Sequence, residues 1–206
     1  MDTPAELVAF IEREQPRLVR AANLLVGDRA VAEEIAQEAL LRASSRWGKV
    51  SRLASPGGWV HRVTVNLATS QLRRWRVERR ARARLAPGDA AVDPNGPPDP
   101  AAAVEVRKAL ATLPESGRRR LVLRYVLDWT AEEIGEFEGA SAATVRQRLL
   151  RSRAALREAL GPGFDIADEP AETTGSNHTT GETTASRTAS YRVTGGPHDE
   201  EGSDVR

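Results

Sequence analysis

A proline- and glycine-rich interruption near the middle of the 206-residue chain constrains its fold more than any other feature. Residues 86–100 hold five of the twelve prolines, with two glycines and three aspartates. Such a composition favours neither a helix interior nor a central strand. We predict a linker here, about 50 Å long when fully extended at about 3.4 Å per residue. It would join two small domains, residues 5–85 and 101–161, which could bind at separate places on a partner without touching.

The composition favours helices in both domains. Hydrophobic residues make up 40% of the chain but aromatic residues only 4%, and the prevalence of Ala and Leu suits helices better than strands. Pro4 opens a predicted first helix that Gly27 and Asp28 end, and a second helix is expected to end near Trp47. A long third helix would run from Pro56 into an arginine-rich stretch. We therefore predict an all-α fold.

Several function classes are excluded by residues and motifs that the sequence lacks. There is no cysteine, which removes thiolate nucleophiles, disulfides and cysteine-ligated metals. The three histidines form no pair at ligand spacing, and we find no nucleophile with a base and no phosphate-binding loop, so we expect no enzyme activity, metal or cofactor. Residues 1–10 lack a basic segment and a long apolar run, so we expect no signal peptide, no membrane insertion and a cytoplasmic location.

The net charge of +1 averages two parts of opposite sign. Residues 162–206 carry nine acids against three arginines, which leaves residues 1–161 with 20 acids and 27 bases. The guanidinium groups of arginine are suited to contacts with phosphate and guanine. A GC-rich genome also raises the arginine content, so arginine usage by itself does not indicate DNA binding. Residues 162–206 are rich in Thr, Ser, Gly and acids, and we predict a disordered tail because so few large apolar residues cannot form a core.

The stretch from Thr130 to Gly161 has the spacing of a helix-turn-helix. Thr130 and Glu133 are placed to form a capping box at the start of a short helix. Gly139 permits a left-handed turn residue, and Ser141 can cap the helix that follows. We therefore predict a helix-turn-helix in the second domain.

The helix after Ser141 has a polar face that predicts DNA contact. The first turns of the second helix in such a motif enter the major groove. Arginine can bond guanine or phosphate there, and Gln147 can pair with adenine. An ordinary amphipathic helix with a solvated face is the alternative, which the capping box and the glycine turn disfavour. The side chains predicted to lie largely opposite the apolar stripe are Arg146, Gln147, Leu150, Arg151 and Arg153.

A second basic block follows Trp59 and surrounds Trp75 on the long helix. Seven arginines lie between residues 73 and 84, opposed only by Glu78. Arginines beside indoles suit an exposed nucleic-acid strand, because bases stack on aromatic faces while guanidinium groups hold the backbone. For Trp59 a place in the core is favoured, since it falls on the predicted apolar stripe with Val63, Leu67 and Leu72. For Trp75 both interpretations stay open.

An acidic face is predicted on the second helix. Glu33, Glu34, Gln37 and Glu38 lie opposite an apolar stripe that includes Ile35. Adjacent glutamates point about 100° apart on a helix, so they are not a catalytic pair. A solvated face or a protein docking surface fits better.

Five blocks of the sequence, in this order, resemble the extracytoplasmic-function group of bacterial RNA polymerase sigma factors. The resemblance covers residues 5–160 and implies a promoter-melting region 2, the linker and a helix-turn-helix region 4. Ser70 stands where many members have Asp, and Ala143 replaces the usual Gly before Thr144. The blocks are Ala32–Glu38, Trp59–Asn66, Leu110–Pro114, Ala131–Ile134 and Thr144–Leu156.

The resemblance implies a partner for each surface. The partners it implies are core RNA polymerase, through its beta-prime coiled coil and beta flap, promoter DNA and an anti-sigma factor. Docking on the beta-prime coiled coil would use Glu34, Gln37 and Glu38. The minus-10 element would be held by Asn66, Arg73, Arg74 and Trp75. The minus-35 element would be read by Thr144, Arg146, Gln147, Leu150 and Arg151.

A free-standing helix-turn-helix regulator is the competing function. Such regulators usually bind two DNA half-sites as dimers. The sequence shows no long heptad seam for dimerisation, and the acidic helix would have no role in such a protein.

Overall fold

The structure, a computed structural model, describes residues 4–83 and 101–161. Those residues form eight α-helices and no strand, which confirms the all-α prediction. The predicted linker, residues 86–100, and the predicted tail, residues 162–206, lie entirely outside them. The helices are α1 (Pro4–Val26), α2 (Arg29–Ser44), α3 (Trp47–Val50), α4 (Pro56–Ala83), α5 (Ala101–Thr112), α6 (Glu115–Tyr125), α7 (Ala131–Glu138) and α8 (Ala142–Leu160).

Local signals account for most of the helix boundaries. Asp28 caps α2 by accepting a hydrogen bond from the Val31 amide over 3.0 Å, which satisfies one of the unpaired donors at a helix start. The second helix ends at Ser44, earlier than predicted, and Trp47 begins the separate single turn α3. The indole of Trp47 packs against Phe10, with the ring centroids 5.0 Å apart.

The side chains that α4 buries are not the predicted ones but neighbours of them on the helix surface. Trp59, Val63, Leu67 and Leu72 are only partly buried, at the margins of the core. The face is wider than one apolar stripe because α4 packs against both α1 and α2 and also contacts the second domain. The fully buried side chains are Val60, His61, Thr64, Val65 and Ala68.

Two apolar clusters form the interior, and one of them crosses from the first domain to the second. The smaller cluster joins α1, α2 and α4 around Leu18 and Val60. The larger one contains Leu25 of α1 and Val65 of α4, and continues through Leu110 to Leu123 in the second domain. The two domains are therefore in direct contact, an arrangement that the length of the linker permits but does not require.

Within residues 4–83 and 101–161, no helix combines the length and the apolar character that crossing a membrane requires.

Candidate nucleic-acid and polymerase-binding surfaces

The turn between α7 and α8 has the geometry that the sequence predicts. Thr130 Oγ1 accepts from the Glu133 amide over 3.1 Å, and Glu133 Oε2 accepts from the Thr130 amide over 2.7 Å, which completes the capping box. Gly139 lies in the left-handed region with φ of 66°. Ser141 Oγ accepts from the Thr144 amide over 3.2 Å. The helix-turn-helix is therefore held by local hydrogen bonds on both sides of its turn.

Gly135 lets the backbone of α7 approach the backbone of the turn closely, and this role was not predicted from the sequence. A Cβ atom at this position would lie 2.5 Å from the backbone oxygen of Ala140. The Gly135 carbonyl also accepts from the Ala140 amide over 2.9 Å. A side chain here would push the turn away from α7. The sequence does contain an indication of this role, because a glycine inside a predicted helix lowers the stability of the helix and usually has a packing reason.

Glu138 joins three helices at the end of α7. Its side chain is 4% exposed, and its carboxylate accepts from Arg120 over 2.7 Å and from Arg119 over 3.2 Å, both on α6. Arg148 of α8 lies 3.6 Å away. Removing one partner of a buried ion pair leaves the other charges poorly compensated. Glu138 therefore fixes α8 relative to α6 and α7.

The predicted minus-35 residues all lie on α8 but differ in exposure. Gln147, Leu150 and Arg151 are exposed on one face, and Leu150 is 64% exposed although it is apolar. Thr144 lies beside this face, and its hydroxyl is 2.8 Å from that of Ser141. Arg146 lies at the flank and donates to Glu132 of α7 over 2.7 Å. The face presents polar and apolar groups to solvent from the first three turns of α8.

Arg153 is an exception, and its predicted place on the polar face is wrong. The residue is buried, with 7% exposure. At about 100° per residue it lies about 80° from Val145 and about 40° from Leu149, both of which are in the core. Counting helical positions from Val145 and Leu149 would have predicted that Arg153 faces the core.

An exposed stripe on α4 brings together three of the four predicted minus-10 residues. Asn66, Arg73 and Arg74 are all exposed and lie within about 100° around the helix. Val77, which is 63% exposed, continues the stripe one turn further. The spacing of seven and four residues keeps these side chains on one side, so α4 presents an amide, two guanidinium groups and an apolar side chain to solvent.

Trp75 lies away from this stripe. Nine residues separate it from Asn66, which corresponds to about 180° around a helix. Its indole is partly buried and packs against the larger apolar cluster. Trp59 is also partly buried and packs against the smaller cluster, as the sequence favoured. The described structure therefore separates Trp75 from the two arginines that precede it.

The acidic face of α2 is exposed. Glu34, Gln37 and Glu38 project to solvent, and Glu38 accepts from Arg42 over 2.7 Å. Leu41, which the sequence analysis did not single out, extends the face and is 65% exposed. Its spacing of seven from Glu34 and four from Gln37 places it in the same row. The exposed face of α2 therefore combines acidic, amide and apolar groups.

Comparisons with known proteins identify both halves of the chain. The family described as Sigma-70 region 2 matches residues 10–77, and the family described as Sigma-70, region 4 matches residues 103–156. "Probable RNA polymerase sigma factor RfaY" of Xanthomonas campestris is 35% identical over 73% of this chain, which spans 39% of that protein. The RNA polymerase sigma-E factor of Streptomyces avermitilis is 32% identical, over 75% of this chain and 85% of the relative.

One solved structure shows the same fold. It is that of the sigma factor RpoE from Bartonella quintana, solved in complex with the anti-sigma factor NepR. The TM-score is 0.60 at 21% identity, with 74% of this chain and 94% of that one covered. Together with the two family matches, these relatives favour the sigma factor over the free-standing regulator. The chain belongs to the sigma-70 family of RNA polymerase sigma factors, in its extracytoplasmic-function group, whose members direct polymerase to promoters.

Proposed function

We propose that three separate surfaces divide the work of transcription initiation. The α8 face reads the minus-35 duplex, the α4 stripe holds melted minus-10 DNA, and the α2 face docks on core polymerase. The observation that carries the proposal is the α8 face, where Gln147, Leu150 and Arg151 are exposed directly after a capped glycine turn. We further propose that the chain acts in the cytoplasm, catalyses no reaction and is held inactive by an anti-sigma factor.

On the α8 face each side chain has its own task. Gln147 can bond both N6 and N7 of an adenine, and Arg151 can fork onto a guanine edge. Leu150 supplies an apolar contact, such as one to a thymine methyl group. Arg146 and Thr144 would contact backbone phosphates. For Arg146 this would mean exchanging Glu132 for a phosphate, at little cost because an exposed ion pair is worth about 0 to 1 kcal/mol.

On the α4 stripe, Asn66 would bond a base that has left the duplex, while Arg73 and Arg74 hold the adjoining backbone. Taking a base out of the stack costs a few kcal/mol, which binding it on the protein can offset. Trp75 would act as a stacking platform once its indole is uncovered. Stacking of this kind contributes about 1 to 3 kcal/mol per base.

On the α2 face, Glu34, Gln37 and Glu38 would bind the beta-prime coiled coil, and Leu41 would add an apolar contact at the C-terminal end of this face. Region 4 would bind the beta flap. Glu38 pairs with Arg42 in the free chain, and giving up this exposed ion pair on docking would cost only about 0 to 1 kcal/mol.

The test combines binding with transcription. Purified chain is mixed with bacterial core polymerase, separated by size, and assayed by run-off transcription on a library of genomic fragments. We expect a complex of one chain per polymerase and transcripts that begin downstream of a shared pair of motifs. Tight binding to duplex DNA without polymerase binding would contradict the proposal and support a free-standing regulator.

A further inference from the structure

The exposed face of α8 continues beyond the turns that are proposed to read DNA. Its members stand three or four positions apart and therefore share one side of the helix; they are Gln147, Leu150, Arg151 and Ala154. Leu150, with 64% exposure, is the largest apolar group among them. A shallow pocket extends the face to the end of the helix and is lined by Ala154, Arg157, Glu158 and Gly161.

The charge of α8 is strongly positive. The helix carries five arginines against one glutamate, Glu158. Two arginines of the first domain are matched by acids of the second: Arg17 pairs with Asp128, and Arg76 pairs with Glu115. Arg151 differs from these, because it is exposed and no acid within residues 4–83 and 101–161 pairs with it. The α8 face therefore offers a guanidinium group beside an exposed apolar side chain.

The sequence that follows α8 has the complementary composition. Residues 164–172, which we call the acidic segment, read Phe-Asp-Ile-Ala-Asp-Glu-Pro-Ala-Glu. They hold four acids, two large apolar residues and no base. Carboxylates can replace phosphate as partners of guanidinium groups, so the acidic segment carries the kinds of group that the α8 face can bind.

The acidic segment is also long enough to reach this face. Gly161 ends α8 with φ of 75°, which favours glycine, and Pro162 cannot continue the helix. Arg151 lies ten residues before Gly161, or about 15 Å at about 1.5 Å per residue. Asp165 and Asp168 lie four and seven residues after Gly161, or up to about 14 and about 24 Å at about 3.4 Å per residue. A chain that turns back along α8 brings these acids to Arg151.

We propose that the α8 face, with Ala154 and the adjoining pocket, is a docking site for the acidic segment of the same chain. The carboxylates of the segment occupy guanidinium groups that otherwise meet phosphate, while Phe164 and Ile166 cover Leu150 and Ala154. The acidic segment and duplex DNA therefore compete for one surface. This inference rests on the proposed function, because it supposes that α8 contacts the minus-35 duplex.

Docking of this kind is weak enough for promoter DNA to displace. Each exposed ion pair contributes about 0 to 1 kcal/mol, although attachment to the same chain raises the effective concentration of the segment to the order of millimolar. Such a competitor lowers the affinity of α8 for every duplex by the same factor. At a promoter, the contacts made by polymerase and by the α4 stripe offset this loss. On other DNA the free chain lacks those contacts and is released.

The first test detects docking in the full chain without DNA. Backbone amide chemical shifts are recorded by NMR for the wild type and two variants. The neutral-segment variant combines Asp165→Asn, Asp168→Asn, Glu169→Gln and Glu172→Gln. The matched control removes the same number of charges further along the chain and combines Glu182→Gln, Asp199→Asn, Glu200→Gln and Glu201→Gln.

We expect the amides of Leu150, Arg151 and Ala154 to shift in the neutral-segment variant and to keep their wild-type positions in the control. Raising the salt concentration should produce similar shifts in the wild type, because the screening length falls from about 10 Å at 0.1 M to about 3 Å at 1 M.

The second test measures competition with DNA. Fluorescence anisotropy follows binding to a random-sequence duplex, which basic surfaces bind through its phosphates. The neutral-segment variant should bind roughly fivefold tighter than the wild type, the effect of one or two exposed ion pairs, and the control should gain less. In an Arg151→Ala background the gain should shrink, because the guanidinium group that segment and duplex share is absent.

Docking on α8 would be overturned by equal shifts of its amides in the two variants, or by shifts at Arg73 and Val77 of α4 in their place. Equal gains in duplex affinity for the two variants would overturn the competition, since they would reflect net charge alone. Docking shifts in a chain that binds no duplex would contradict the proposed function and leave docking intact, because the shifts are measured without DNA.

Discussion

The indole of Trp129 and the imidazole of His61 form a buried hydrogen bond of 3.3 Å between the two domains. An indole N–H can only donate, so Nδ1 of His61 accepts and the proton of the neutral ring lies on Nε2. From there it is donated to Glu14 of α1 over 3.0 Å. One imidazole therefore links α1, α4 and the loop before α7.

Replacing Trp129 by Phe should remove the donor and keep most of the apolar surface. His61 Nδ1 would then be buried without a partner, at a cost of about 1 to 3 kcal/mol in the free energy of unfolding. Trp47→Phe is the matched control, because its indole nitrogen is buried without a hydrogen-bond partner in the described structure. Urea unfolding measures both. A loss no larger in Trp129→Phe than in Trp47→Phe would rule out a stabilising role for the bond.

The Glu14 carboxylate should make stability depend on pH in the acid range. Burial by itself raises the pKa of Glu14, but the hydrogen bond and the electrostatic interaction with His61, followed by those with Arg13, lower it below its ordinary value. The unfolded chain therefore binds more protons, so stability rises with pH across this window and is lost as pH falls through the folded pKa.

Glu14→Gln removes that titration. We expect the free energy of unfolding to fall less steeply in the variant than in the wild type between about pH 4.5 and about pH 3, below the ordinary range of a glutamate. Urea unfolding across this range is the measurement, and Glu12→Gln, exposed on the same helix, is the control. Parallel pH profiles for wild type and Glu14→Gln would contradict the lowered pKa.

Glu138→Gln should destabilise the helix-turn-helix, because three guanidinium groups surround its buried carboxylate. Breaking such a buried pair costs about 3 to 5 kcal/mol. Glu136→Gln, on the same helix but exposed, should change stability by less than about 0.5 kcal/mol. Thermal and urea unfolding compare the two variants, and similar losses would show that the cluster is not stabilising.

Gly135→Ala should displace the turn, since its Cβ would lie 2.5 Å from the Ala140 oxygen. Overpacking of this kind costs about 1 to 3 kcal/mol. Gly139→Asn is the comparison, because a Cβ there meets nothing within 4 Å and Asn tolerates the left-handed region. We expect Gly135→Ala to weaken minus-35 binding and Gly139→Asn to retain it. Retention by both would mean that the turn tolerates displacement.

Two glutamine variants separate DNA reading from polymerase docking. Gln147→Ala on α8 should weaken binding to a minus-35 duplex by about 1 to 3 kcal/mol and leave polymerase affinity unchanged. Gln37→Ala on α2 should weaken polymerase binding by about 0.5 to 1.5 kcal/mol and leave duplex affinity unchanged. Fluorescence anisotropy measures both affinities for both variants. Loss of both activities in either folded variant would contradict the separation of surfaces.

The local structure of the helix ends and turns could be predicted from the sequence. The capping box of Thr130 and Glu133, the left-handed Gly139 and the cap at Ser141 each depend on residues within three or four positions. Their hydrogen bonds close short loops and hold in nearly any context. The exposed faces of α2 and α8 follow likewise from helical periodicity, and Leu41 was predictable from the same spacing.

Contacts between residues far apart in the sequence could not be predicted in this way. Trp129 meets His61 across 68 positions and Glu14 meets His61 across 47, and no periodic pattern relates residues that far apart. Helical periodicity places Arg153 on the inner side of α8 and Trp75 opposite Asn66 on α4, but only the neighbouring helices determine how far each side chain is covered. A long linker permits separation and contact alike, so burial of Trp129 and matched charges at Arg17 and Arg76, rather than chain length, bring the two domains together.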